Sequence, residues 1–306
     1  MDVRPFSRRS LAVIAAAGLA GLLTLAGCGS SSTSSSSGGG GGSATTSGGA
    51  STSIQVPAAI KAKGTLVVAA DASYAPNEFV DTDGTTVIGM DADLAKALGQ
   101  VLGLQVSVQN VKFDNIIPGL ASGKYDLGMS SFTDTKDREN TVDFVTYFSA
   151  GTSFFVKASG GPSINTLDDL CGHNVSVEKG TTQLDDATKQ DGTCKSAGKP
   201  GVNVLSFDDQ NGANLALSSG RAEVSMADSP VAAYQVKQSN GTFKLSGQSY
   251  GTAPYGIAIP KGNGMAQPVL AAIKLLMSNG QYKQILDKWG IASGAISNPT
   301  INGATS

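Results

Sequence analysis

Two charged residues stand where chemistry could be done. Arg138 closes the run Ser130-Ser131-Phe132-Thr133-Asp134-Thr135-Lys136-Asp137-Arg138, a few positions into a helix that Thr135 is placed to cap, after a strand ending near Ser130. A guanidinium fork matches a carboxylate bidentately. Taken alone, however, an arginine inside a Lys-Asp-Arg-Glu stretch is more often a solvated helix face. Asp228 follows the apolar run 224–226 and precedes Ser229-Pro230. That position is the carboxyl end of a strand, where open α/β sheets bind ligands, and equally the N-cap of a helix beginning with proline. The single histidine, His173, stands near Cys171, and no nucleophile–base pair can be placed.

Such residues need a scaffold, and hydrophobic periodicity outlines one. Strand-like 65–70 is followed by 90–102, with Leu94, Leu98, Val101 and Leu102 at helical spacing, and then by strand-like 105–111. A second cycle has strands at 174–178, 202–206 and 224–226, with helices from about Thr182, over 211–219 and over 229–239. A shorter third cycle has a strand at 255–259, a helix through Met265, Val269, Ile273 and Leu276, and a last helix carrying Tyr282, Leu286 and Trp289. This alternation implies βαβ units and a mostly parallel sheet. Asp81-Thr82-Asp83-Gly84 reads as a hairpin turn. Segments 152–157, extended and apolar, and 246–252, rich in Gly and Ser, read as crossings. The expected architecture is α/β with two lobes, each a mostly parallel sheet flanked by helices. Lobe 1 covers 54–153 plus 252–296, lobe 2 covers 158–248, and a polar tail covers 297–306.

The N-terminus is of another kind. Arg4, Arg8 and Arg9 precede an uncharged apolar run over 11–26, the charged-then-apolar order of an export signal, and the run is short for a bilayer span. Leu25-Ala26-Gly27-Cys28 resembles the lipobox at which bacterial signal peptidases cut, which implies a signal peptide over 1–27 and a lipidated Cys28. Ser7-Arg8-Arg9-Ser10-Leu11 also resembles a twin-arginine signal, so Sec and Tat export both stay open. From Gly29 to Ser53, 23 of 25 residues are Gly, Ser or Thr. Such a stretch cannot bury a core and is expected to act as a tether over 28–53, about 25–30 Å in reach.

Removing residues 1–27, with three Arg and one Asp, takes the net charge from −2 to −4. That balance favours neither nucleic acid nor an anionic surface as a partner. With Cys28 taken by lipid, Cys171 and Cys194 remain as an even pair in an oxidising compartment, for which a disulfide is the default. The rival is a metal site of Cys171, His173 and Cys194, but structural zinc wants a fourth ligand and none is evident. No catalytic metal or organic cofactor is expected.

Several further segments, in order, cover nearly everything after the tether. They are Asp71-Ala-Ser-Tyr74-Ala-Pro76-Asn-Glu78-Phe79, Gly89-Met-Asp91-Ala-Asp93-Leu94, Phe113-Asp114-Asn-Ile-Ile-Pro118-Gly-Leu120, the Ser130 to Arg138 run, Gly180-Thr181-Thr182, Ala227-Asp228-Ser229-Pro230 and Pro254-Tyr255-Gly256-Ile257-Ala258. Jointly they resemble the polar amino-acid family of ABC-transporter substrate-binding proteins, with the type II periplasmic binding fold. The resemblance implies two lobes on two hinge crossings and a monomer held at the outer face of the cell membrane. It also implies an amino-acid ligand and ABC permease subunits as partners. Arg138, helped by Ser130, Ser131 and Thr133 and by N–H groups near Gly180 and Thr182, would hold the ligand carboxylate. Asp228 would accept from its ammonium group, and the rings of Tyr74 and Phe113 would cover it. Asn77 departs from the family's usual aromatic residue. Asp71 and Glu178, both acidic, would select a cationic or amide side chain, because a buried acid needs a donor. Two other readings stay on the same fold: a periplasmic arogenate or prephenate dehydratase, and an extracellular amino-acid sensing module.

Overall fold

The run Thr65–Ala70 has no polar residue after its first position, the mark of a strand covered on both faces. It forms β1 in the computed structural model, which describes residues 54–305. The expected export signal over 1–27, the lipid site Cys28 and the tether over 28–53 lie outside the described residues. Among the described residues no helix is long and apolar enough to cross a membrane.

Helix Ala58–Lys63 (α1) precedes β1. After it, Ser73–Tyr74 (β2), Glu78–Val80 (β3) and Val87–Ile88 (β4) form a small antiparallel sheet, and the expected turn at Asp81 to Gly84 joins the last two. Met90–Leu102 (α2) follows, burying Leu94 and Leu98 one turn apart. Then come Gln105–Asn110 (β5), Ile116–Ala121 (α3), Leu127–Gly128 (β6), the single turn Lys136–Glu139 (α4) and the long strand Val142–Lys157 (β7). The next stretch holds Asn174–Glu178 (β8), Thr182–Ser196 (α5), Asn203–Phe207 (β9), Gln210–Ser219 (α6), Val224–Asp228 (β10) and Ser229–Gln238 (α7). A second long strand, Phe243–Pro260 (β11), leads to Ala266–Ser278 (α8) and Gln281–Trp289 (α9).

Eight strands make one sheet in the order β5-β1-β6-β11-β7-β10-β8-β9. Its two flanks are parallel, β5-β1-β6 on one side and β10-β8-β9 on the other. Between them β7 and β11 run antiparallel to each other and to their outer neighbours. The segments 152–157 and 246–252, expected as crossings, are thus the carboxyl-terminal end of β7 and an inner stretch of β11. Residues 142–151 were not expected to be extended. They are, because Val142–Lys157 is β-branched or aromatic at most positions and buried at nearly all of them. The β7–β11 register slips between Ser246 and Tyr250 and again between Tyr250 and Ala253, so the ladder is weakest where the chain passes from one flank to the other.

Each flank has its own apolar cluster, one around Leu94, Leu98, Ile257 and Ile273, the other around Phe154, Val175, Val177 and Met226. A third cluster takes residues from both sides, packing Tyr74, Phe113 and Phe132 with Leu217, Ala227 and Val231. Cys171 and Cys194 form a disulfide with their Cα atoms 5.7 Å apart. The bond ties the start of β8 to the end of α5 and takes both sulfurs out of the alternative metal set with His173. The expected polar tail is not free: Ile301 bridges Val145 on β7, as Ala295 just before the tail bridges Phe148. Its backbone completes that strand's pairing, a need that polarity alone does not reveal.

Candidate functional site

The parallel strands β1, β6, β8 and β10 end at Ala70, Gly128, Glu178 and Asp228. The segments leaving these ends carry most of the residues singled out from the sequence. Carboxyl ends of strands converge where the strand order reverses, which makes a crevice without any special loop. The crevice here is a cavity of about 10 Å³, room for about one water. Tyr74, Phe113, Ser130, Ser131, Thr133, Arg138, Thr182 and Asp228, all expected at the site, line it. A guest of amino-acid size fits only if these walls part.

Arg138 sits on the single turn α4, which Thr135 caps by accepting from the Arg138 N–H at 3.3 Å. Its guanidinium donates to the Thr133 carbonyl at 2.7 Å and to the Gly180 carbonyl at 2.9 Å. It also lies over the rings of Phe113 and Phe132, 5.4 and 4.9 Å from their centres. These rings stack at 4.4 Å, and Tyr74 meets Phe113 edge-on at 5.9 Å. Phe113 is therefore both core and wall. A guanidinium carries five N–H groups, so the bonds to Thr133 and Gly180 leave donors for an anion.

Asp228 is the residue before α7, yet its side chain makes no capping bond. One carboxylate oxygen accepts from Gln183 Nε2 at 2.7 Å and the other from the Tyr255 hydroxyl. A carboxylate has about four lone-pair sites, so acceptor capacity remains. Burial pushes this carboxyl upward, with the two donors and Arg138 opposing. Burial lowers Arg138, opposed chiefly by Asp228. The two charges face the same space from opposite flanks of the sheet.

Three expected residues are not in the cavity wall. Gly180 contributes its carbonyl to Arg138 from the rim. Asp71 is turned away, accepting from Ser73 Oγ at 2.6 Å and from the Phe113 N–H at 3.1 Å. It stays attached to the wall, because its own N–H donates to Ser130 Oγ at 2.8 Å. Glu178 lies behind as well, only 1% exposed. The Tyr74 hydroxyl and the Asp71 carboxyl are its polar partners. Burial, reinforced by the charge of Asp71, pushes Glu178 up to about 10. The proton is therefore retained at neutral pH, and a pair of acids lies beside Tyr74.

Sequence reasoning missed Thr181, Gln183 and Gln210, which also line the cavity. Gln183 sits in the first turn of α5 and Gln210 begins α6, so the available signal was a polar residue at a helix start after a strand. Gln183 holds Asp228 and also donates to Thr152 Oγ1 at 2.8 Å. Gln210 reaches across by its N–H to Ser73 Oγ at 3.1 Å. Asn77, the departure from the family pattern, is buried and donates to Ser131 Oγ at 2.8 Å. Ser131 needs that support: its φ is 49°, and Asp91 accepts its N–H while Glu78 accepts its hydroxyl.

The model of bacterial extracellular solute-binding proteins, family 3, matches residues 66–292. The arginine-binding protein ArgT of Corynebacterium glutamicum is 34% identical over 206 residues, 67% of this chain and 67% of the relative. Among solved structures, an ancestral arginine-binding protein bound to arginine superposes with a TM-score of 0.69 at 38% identity, covering 74% of this chain and 98% of that one. The ancestral amino acid-binding protein AncCDT-1, a precursor of cyclohexadienyl dehydratase, gives 0.68 at 34% identity, covering 76% and 97%.

Proposed function

Because the chain belongs to the bacterial extracellular solute-binding proteins, family 3, we propose that it captures a cationic amino acid, arginine first, and delivers it to an ABC permease. The observation that carries this reading is the placement of Arg138 and Asp228 on one cavity from opposite flanks of the sheet. A zwitterion satisfies both at once, its carboxylate on the guanidinium fork and its ammonium on the aspartate. Neither flank holds it alone, so binding favours closure.

The choice of a cationic side chain rests on Glu178, Asp71 and Tyr74. A buried pair of acids is costly to ionise. A guanidinium or ammonium entering beside Tyr74 supplies the compensating charge and turns the cost into selectivity. The arginine ligands named for ArgT and for the ancestral protein support the same choice. The lobes run over 54–153 with 252–296 and over 158–248, and they part about the register slips of β7 and β11. In the cell the body is a monomer exported by the signal over 1–27, anchored at the outer face by lipid on Cys28 and spaced by the tether.

A thermal-shift screen against the amino acids plus ornithine and citrulline tests the assignment, since a ligand that binds only the folded state raises its melting temperature. Arginine is expected to give the largest rise; a larger rise with glutamate overturns the reading of the acid pair. Binding proceeds without turnover, so arogenate and prephenate are expected to survive incubation with the protein unchanged.

A further inference from the structure

We infer that residues 300–304 form a strap that positions the Arg138 segment, so that the C-terminal stretch is part of the binding apparatus. The inference rests on the reading of Arg138 as the carboxylate partner of the ligand. A helix of one turn cannot hold itself in place, because nucleation is unfavourable and α4 adds almost no propagation. On its N-terminal side the segment is anchored by the bridge of Thr133 to Tyr255 and by the Asp134 N–H donating to the Pro254 carbonyl at 2.9 Å. Those contacts end four residues before Arg138.

The strap supplies the rest. The Gly303 N–H donates to Asp134 Oδ2 at 2.7 Å, and the Ala304 N–H donates to Glu139 Oε1 at 3.2 Å. These carboxylates bracket Arg138, one four positions before it and one directly after. Asp134 has no exposure to solvent, so the Gly303 N–H meets a carboxyl oxygen that water cannot reach, a bond expensive to lose. The strap is itself fixed to β7. Thr146 N–H donates to the Thr300 carbonyl at 2.9 Å, and Thr300 N–H returns to Thr146 Oγ1 at 2.8 Å. Asn302 N–H donates to the Phe144 carbonyl at 2.9 Å, while Asn302 Oδ1 accepts from the Phe144 N–H at 2.8 Å. Approach is close at Gly303: a Cβ there would lie 2.6 Å from Thr300 Oγ1 and 2.9 Å from Thr146 Cγ2.

A chain ending at Asn302 removes both N–H donors and keeps the pairing with β7. Hydrogen–deuterium exchange is compared between it and the full chain without ligand, and each is titrated with arginine by calorimetry. Exchange is expected to rise over 131–140 and not elsewhere, with arginine binding about tenfold weaker, the loss of about one buried hydrogen bond. In the full chain Asp134→Asn, which still accepts from Gly303, is expected to bind nearly as the wild type does, and Asp134→Ala to behave like the shortened chain. Unchanged exchange over 131–140, or a rise spread through the whole body, overturns the strap. So does a local rise with arginine affinity unaltered. A local rise in a protein whose full chain takes no arginine upholds the strap and sinks the ligand assignment instead.

Discussion

The Arg138 guanidinium donates to the carbonyl of Gly180 at 2.9 Å, joining a side chain from the β5-β1-β6 flank to the turn that follows β8 on the other flank. The bond spans the crevice, so the residue proposed to hold the ligand also helps hold the two flanks together.

Arg138→Ala is expected to weaken arginine binding by at least about 30-fold, since truncating one partner of a desolvated charge pair typically costs about 2–5 kcal/mol. Arg138→Lys keeps the charge without the planar fork and is expected to fall between, about tenfold weaker. Calorimetric titration reads both, and the ligand-free melting curve checks that the fold survives. Wild-type affinity in the alanine variant defeats the assignment.

Gly180→Ala acts on the closed arrangement. Gly180 has a φ of 75° and an added Cβ would stand 3.2 Å from Asp114 Cβ and 3.3 Å from its Cα. The left-handed backbone and the close neighbour both resist a side chain. Arginine binding is expected to weaken about three- to tenfold, with a larger radius of gyration by small-angle scattering at saturating ligand. An unchanged radius and affinity would show that the rim contact is not needed for closure.

The pH dependence should carry the mark of Glu178. Its folded carboxyl stands at about 10 against an ordinary value of 4.5, so the folded state binds the proton more tightly than the unfolded chain. This group's contribution to stability is full below 4.5 and is lost as pH rises toward 10. Glu178→Gln is expected to flatten that part of the denaturation profile. A guanidinium arriving beside Glu178 favours the carboxylate, so arginine binding should release a proton and tighten as pH rises through neutrality. Calorimetry in buffers of different ionisation enthalpy measures the release; equal heats in all of them contradict it.

Replacing Cys171 and Cys194 by serine removes a cross-link between residues 23 apart in sequence. The chain-entropy account gives a loss of about 3 kcal/mol. Urea denaturation measures it. Arginine affinity is expected to stay near the wild-type value, because the bond is remote from the cavity wall.

The order of elements was largely legible in the chain. Apolar runs and helical spacing located β1, α2, β8, α6, β10 and α7 to within a residue or two, and the start of α5, because each is a local pattern facing a core. The central strands were legible only in part: 152–157 and 255–259 read as extended, whereas 142–151 and 246–252 become extended by pairing with 253–260 and with 152–154 respectively, over a long sequence distance. The docking of Thr300 to Ala304 was hidden for the same reason: nothing in a polar stretch announces which backbone groups of a distant strand are unpaired.

At the site, the family resemblance carried by residue types and their order in the chain already implied that a guanidinium and a carboxylate would stand at the ends of strands on different flanks. Chemistry of that sort is written in the residues themselves. Only the tertiary structure decided that Asp228 would face the cavity rather than cap α7, that Asp71 and Glu178 would lie beside Tyr74, and that Gln183 and Gln210 would join the wall. Those outcomes depend on burial and on which donor reaches which acceptor first, and both are properties of packing between segments far apart in the chain.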